Sequence, residues 1–124
     1  MAPEVFNKGS YSESADIWSF GIVMGELATR KLPYDGIGLW ESIELIRKGS
    51  IPPIPNQTPP KFGEIRLACL RIVPTERLNA NQLSTSLQLL FEALQTQQQQ
   101  PQQVDGENNT QTETGNSKQN EEMK

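Results

Sequence analysis

The chain has 124 residues, a formal net charge of −4 at pH 7, one cysteine and no histidine. An acidic balance argues against nucleic acid as the main partner, and Cys69 alone can build neither a disulfide framework nor a Cys/His zinc site. No charge-free run of about 18 apolar residues is present, so we predict no membrane-spanning helix and no membrane partner. The N-terminus lacks a signal-peptide pattern, and we therefore expect a cytoplasmic, intracellular protein.

The composition divides the chain near residue 95. Apolar residues recur up to Gln95, whereas residues 96–124 contain eight glutamines and only Val104 and Met123 as sizeable apolar side chains. Such a segment cannot bury enough surface to offset its chain entropy. We predict a folded domain over residues 1–95 and a disordered, acidic, Gln-rich tail over residues 96–124. A self-associating polar tract is the alternative for that tail.

Helical spacing dominates the predicted domain, and no alternating run indicates a strand, so the expected fold class is all-α. Four helices are predicted, over residues 14–30, 39–48, 61–71 and 79–94. Ser12 or Ser14 can cap the first helix, and Asn79 or Asn81 can cap the last. The first helix lacks a polar face, which indicates burial on most sides. Its apolar residues are Ile17, Trp18, Phe20, Ile22, Val23, Met24 and Leu27.

Catalytic patterns are missing from the sequence. Without histidine there is no Ser-His or Cys-His nucleophile, and Gly36 and Gly38 make only a weak match to a phosphate-binding loop. The carboxylates of Asp16, Glu41 and Glu44 show no spacing specific to metal binding or acid–base work. We therefore predict no catalytic, cofactor-binding or metal-ligating residue in this chain.

Four short motifs in a fixed order carry the functional information. They are MAPEVF at the start, YSESADIWSFGIVMGEL, KLPY and LACLRIVPTERL. In this order and spacing they resemble the C-terminal part of a protein kinase domain, from residue 1 to about residue 94. The second contains the D-x-W-S-x-G signature and the last contains P-x-x-R. The residues that carry the signatures are Ala2, Pro3, Glu4, Asp16, Trp18, Gly21, Pro74 and Arg77.

The closest likeness is to the tyrosine kinase-like group, whose members mostly phosphorylate serine and threonine. It implies a partial large lobe, in which the four helices resemble αF, αG, αH and αI. Leu70 departs from the pattern, since many of these kinases carry Trp at that position. Cys69 is expected to be a small buried residue.

The resemblance also assigns structural roles to charged residues. Glu4 is expected to form an ion pair with Arg77, although two unrelated surface charges would give the same sequence. The family equivalent of Asp16 accepts hydrogen bonds from the backbone of the catalytic loop. Because this sequence contains no such loop, we expect Asp16 to cap its helix or to face water.

ATP and Mg²⁺ are the cofactors of the whole family domain, but the motifs that bind them are not in this sequence. The glycine-rich loop, the strand lysine, the αC glutamate, the catalytic loop and the DFG aspartate all precede the A-P-E motif in kinases. Since the chain starts at that motif, we expect either a truncated gene product or a gene model begun at an internal Met. The chain is then an inactive fragment of a Ser/Thr protein kinase.

The alternative is a non-catalytic interaction module of the pseudokinase kind. Protein partners would bind the αG-like surface, with Glu41, Glu44, Arg47 and Lys48, or the tail. Pro52-x-x-Pro55 could also be an SH3 ligand, although the αG–αH connection of kinases explains the same prolines. In the isolated chain the first helix is expected to expose some of Ile17, Phe20, Met24 and their neighbours, which would favour self-association. The alternative is that the four helices repack into a compact bundle, which would favour the interaction module.

Overall fold

The computed structural model describes residues 1–9 and 11–99 of the chain. Over these residues the chain is helical and forms no strand, so the all-α prediction is confirmed there. Five α-helices and one 3-10 turn follow each other: α1 (Pro3–Lys8), α2 (Glu13–Thr29), α3 (Leu39–Arg47), α4 (Pro60–Cys69), the 3-10 turn Pro74–Glu76 and α5 (Ala80–Gln98). Helices α2 to α5 take the places predicted for helices resembling αF, αG, αH and αI.

Several boundaries differ from the sequence prediction. Helix α1 was not predicted; Pro3 lies in its first turn and Gly9, with a φ of 62°, ends it. Helix α5 begins after Asn79, which forms a capping box with Gln82, and it continues to Gln98, beyond the predicted boundary at residue 95. Residues 100–124 of the predicted tail lie outside the described residues.

Helix α4 ends at Cys69, two residues before the predicted end at residue 71. Leu70 leaves the helical conformation, with a φ of −101° and a ψ of 31°. Beyond it, the carbonyls of Arg71 and Ile72 accept hydrogen bonds from the guanidinium of Arg77. The segment from Leu70 to the 3-10 turn is therefore shaped by one buried side chain.

Two buried clusters hold the helices together, and α2 contributes to both. The larger cluster joins α2, α4 and α5 through Ile17, Met24, Ile65, Cys69, Leu83 and Leu90. The smaller cluster joins the N-terminal segment, α2 and the end of α4 through Ala2, Ala15, Trp18 and Leu70. Helix α2 is thus the central element of the described part of the chain.

The side of α2 that faces neither cluster is exposed to solvent. Phe20, Val23 and Leu27 lie on it, and 69% of the surface of Leu27 is accessible to solvent. Of the three residues named as candidates for exposure, Phe20 is exposed, whereas Ile17 and Met24 are buried because α4 and α5 cover that side of the helix. The exposed face of α2 is therefore formed by Phe20, Val23 and Leu27.

Helix α2 packs tightly against the C-terminal end of α4 at Gly21. A Cβ placed on Gly21 would lie 2.8 Å from Cγ of Leu70 and 2.9 Å from Cβ of Cys69. Both neighbours are fully buried and cannot move aside without disturbing the core. The absence of a side chain at Gly21 is therefore what permits this packing.

Substituting Gly21→Ala should destabilise the chain, since overpacking a filled core costs about 1–3 kcal/mol. Gly63→Ala in α4 is the matched control, because its Cβ would lie 3.6 Å from Ile54 and should add up to about 1 kcal/mol of helix propensity. Urea unfolding followed by circular dichroism measures both. Equal effects of the two substitutions would contradict the packing argument.

Candidate functional site

The candidate site is built around the guanidinium of Arg77, whose side chain is fully buried. Nη1 and Nη2 bind the two carboxylate oxygens of Glu4 at 2.7 and 2.8 Å, which is the bidentate geometry of a strong ion pair. Nε donates to the carbonyl of Arg71 at 2.8 Å, and Nη1 also donates to the carbonyl of Ser14 at 2.8 Å. The guanidinium therefore connects α1, the start of α2 and the segment after α4.

Glu4 reaches this position from the first turn of α1, and its side chain retains 10% exposure. The hydrogen bonds from Arg77 lower the pKa of its carboxyl group, and burial opposes that effect. A carboxylate near the first turn also interacts favourably with the positive end of the helix dipole. Glu4 is thus held in its charged form.

Aromatic packing completes the environment of Arg77. Its guanidinium carbon lies 5.1 Å from the ring centre of Trp18, within the range of a cation–π contact. Trp18 and Ala2 are both buried in the smaller cluster, and Pro3 starts the helix that carries Glu4. Pro74 opens the 3-10 turn that leads directly into Arg77.

The structure brings most of the predicted motif residues together but separates two of them. Gly21 lies one turn away from Trp18 and packs on α4 instead. Asp16 is exposed near the start of α2 and accepts a hydrogen bond from the hydroxyl of Tyr11. That contact raises the pKa of Tyr11. Neither residue contacts the guanidinium, and no predicted motif residue is arranged as a nucleophile with a base.

The chemistry of this site is structural. Burial raises the pKa of the Cys69 thiol to about 11, so this cysteine stays protonated and unreactive near neutral pH.

Within residues 1–9 and 11–99, no three acidic, cysteine or histidine side chains are grouped as metal ligands. None of the helices described is long and apolar enough to cross a membrane.

Sequence reasoning gave no role to Arg66, which the structure buries in α4. The signal was present, because Arg66 follows Phe62 by four positions and so shares the helix face of an inward-facing residue. An arginine on an apolar stripe is unusual, since charged side chains are rarely buried without a partner.

Comparison with known families agrees with the geometry. A family model described as "Protein tyrosine and serine/threonine kinase" matches residues 1–87. That range contains all the motifs above and the Glu4–Arg77 pair. The chain therefore belongs to the protein kinase family, and the resemblance inferred from the motifs is confirmed.

Curated relatives are named as protein kinases, two of the three below as serine/threonine kinases. A probable LIM domain-containing serine/threonine-protein kinase of Dictyostelium discoideum is 34% identical over 94 residues, 76% of this chain and 14% of the relative. The probable serine/threonine-protein kinase drkA of the same organism is 42% identical over 77 residues, 61% and 12% of the two chains. Mitogen-activated protein kinase kinase kinase 7 of Drosophila melanogaster is 40% identical over 78 residues, which are 62% of this chain and 12% of the relative. The chain thus spans only a small part of these relatives.

The lowered pKa of Glu4 predicts a pH dependence of stability. A carboxyl group whose pKa is lower in the folded state stabilises the fold above its unfolded pKa, about 4.3 for Glu, and loses that contribution as pH falls through the folded value. Glu4→Gln should therefore lower the free energy of unfolding by about 1–3 kcal/mol at pH 7, and the difference from wild type should shrink below pH 4.

Urea titrations between pH 3 and pH 7 measure this difference. Glu13→Gln removes an exposed carboxylate at the start of α2 and is the control. A Glu4→Gln penalty that stays constant over the whole pH range would show that the ion pair does not stabilise the fold.

Proposed function

We propose that this chain forms the base of the large lobe of a serine/threonine protein kinase. The whole protein would transfer the γ-phosphoryl group of ATP to hydroxyl groups of proteins, inside the cell where ATP is available. The main support is the buried bidentate pair between Glu4 and Arg77, which joins the A-P-E and P-x-x-R motifs across 73 positions of sequence. The family match over residues 1–87 and the names of the relatives agree with this proposal.

The role of this chain within that kinase would be mechanical. The described residues do not fit ATP or Mg²⁺, since they contain no clustered acidic ligands and the sequence contains no phosphate-binding loop. We assign no step of phosphoryl transfer to them. Instead, Glu4 and Arg77 would hold the segment around Ala2 and Pro3 against α2. In the kinase family this segment is the end of the activation segment.

We expect the isolated 124-residue chain neither to bind Mg·ATP nor to phosphorylate a generic protein substrate. The physical reason is that every family motif that contacts the nucleotide is outside this sequence. Isothermal calorimetry with Mg·ATP tests binding, and a full-length active kinase is the positive control. Saturable heat from the isolated chain would contradict the assignment.

A second candidate function is a non-catalytic interaction module. Its support is α3, which buries no residue and carries Trp40 with 80% of its surface exposed. Tryptophan is enriched at protein–protein interfaces, so an exposed tryptophan on a helix that buries no residue favours a surface that binds a protein. This candidate requires that the chain be stable and monomeric by itself.

The open face of α2 decides between the two candidates. If the chain is part of a larger domain, Phe20, Val23 and Leu27 lack their normal cover when it is isolated, and the chain should self-associate. Light scattering should then give a mass above that of one chain, and an apolar dye should bind. The double substitution Val23→Gln and Leu27→Gln should lower both signals.

Leu67→Gln is the control for that experiment, because Leu67 is exposed on α4 and outside the α2 face. A wild-type chain that is monomeric, melts cooperatively and binds no dye would favour the interaction module. It would also show that the exposed face of α2 needs no cover.

A further inference from the structure

The exposed face of α2 carries side chains at a regular spacing. Asp16, Phe20, Val23 and Leu27 are exposed and follow each other at spacings of four, three and four residues, and the exposed Arg30 lies three residues further on, just past the end of the helix. Alternating spacings of three and four are typical of the residues that meet between two helices of a coiled coil. The pattern therefore suits packing against a second helix.

A groove of about 310 Å³ lies at the C-terminal half of this face. Its lining includes Val23, Glu26, Leu27, Arg30 and Leu32. The first four of these lie at positions i, i+3, i+4 and i+7, which on a helix surface surround the hole that receives one knob side chain in a coiled coil. Since a cavity of about 150 Å³ can hold a benzene ring, the groove is large enough for a phenyl side chain.

Phe20 is the side chain that fits this groove when the second helix belongs to another copy of the chain. It lies on the same face of α2, is 41% exposed and does not line the groove itself. If Phe20 of one copy lies opposite Glu26 and Leu27 of the other, two-fold symmetry makes the two helices antiparallel and places the axis near Val23. The symmetry then gives two equivalent contacts of Phe20 with a groove.

The charges at the two ends of the face agree with the same register. With the axis near Val23, the exposed Asp16 of one copy lies opposite the exposed Arg30 and Lys31 of the other, and this contact occurs twice. The hydroxyl of Tyr11 already donates to Asp16, but a carboxylate can accept from a cation as well. A parallel pair would instead bring Asp16 to Asp16 and Arg30 to Arg30. Complementary charges therefore favour the antiparallel arrangement.

We propose that the 124-residue chain forms an antiparallel, two-fold symmetric dimer through α2, in which Phe20 of each copy occupies the groove of the other and Asp16 pairs with Arg30. Only a few residues of each copy take part, against about 20–30 per partner in a standard interface, so we expect a dissociation constant on the order of 10 µM. This goes beyond the proposed function, because an uncovered apolar face by itself does not specify a dimer. It concerns the chain alone, since in a larger domain other segments would cover the same face.

Sedimentation equilibrium of the full 124-residue chain tests the stoichiometry. Between about 1 µM and about 1 mM, the mass should rise from that of one chain and level off at that of two. A chain that stays monomeric over this range would overturn the proposal. So would a mass that continues to rise beyond two chains, because a two-fold symmetric contact closes on itself.

Two charge reversals test the register. Asp16→Arg and Arg30→Glu each create two like-charge contacts across the proposed interface and should weaken dimerisation about fivefold or more. The double variant Asp16→Arg/Arg30→Glu restores opposite charges in the antiparallel register, and its dissociation constant should return to within about twofold of the wild-type value. A double variant that dimerises as weakly as the single variants would overturn the register.

A matched pair of phenylalanine substitutions tests the groove. Phe20→Ala leaves both grooves without their side chain and should weaken dimerisation about tenfold or more. Phe91→Ala removes the same side chain from α5, where it is 56% exposed, and should change the dissociation constant less than about twofold. Circular dichroism checks that each variant keeps its helical content, and the wild-type stoichiometry tests the proposal even if a variant does not fold. Equal effects of the two substitutions would overturn the assignment of Phe20 to the groove.

Discussion

The fold of this chain depends on satisfying the guanidinium of Arg77. A charged group with a fully buried side chain is stable only if each of its nitrogens finds an acceptor, and here all three do. Those acceptors come from α1, from the start of α2 and from the backbone after α4. Removing the guanidinium would leave the Glu4 carboxylate and several carbonyls without donors at once, so these segments are energetically coupled.

This coupling explains how the six-residue helix α1 is held in place near the N-terminus. A helix as short as α1 is too short to be stable in isolation. The ion pair at Glu4 and the burial of Ala2 in the smaller cluster give it tertiary contacts on both sides. The same cluster contains Trp18, whose ring lies over the Arg77 guanidinium. The ion pair and the apolar cluster therefore stabilise the same part of the fold.

The sequence could predict the pair but not the geometry around it. Glu4 and Arg77 belong to motifs whose spacing is specific, so their meeting followed from the resemblance. The hydrogen bonds from Arg77 to the Arg71 and Ile72 carbonyls could not be predicted, because they depend on how the backbone after α4 is oriented. An exposed face of α2 was expected from the sequence, but the residues that form it could not be predicted. Apolar residues surround that helix, and only the positions of α4 and α5 decide which of them remain exposed.

Arg66 and Arg77 are similarly buried but differ in how completely their guanidinium groups are paired with acceptors. Both lie almost entirely out of water, and both donate to backbone carbonyls. Arg77 has a carboxylate in bidentate contact, and its environment is closed by Trp18, so its contribution is structural. Arg66 has one backbone acceptor, a buried Nε without a partner and a cavity at its side. A buried charge that the fold leaves incompletely paired must be stabilised by something outside the described residues or must lower the stability of the chain.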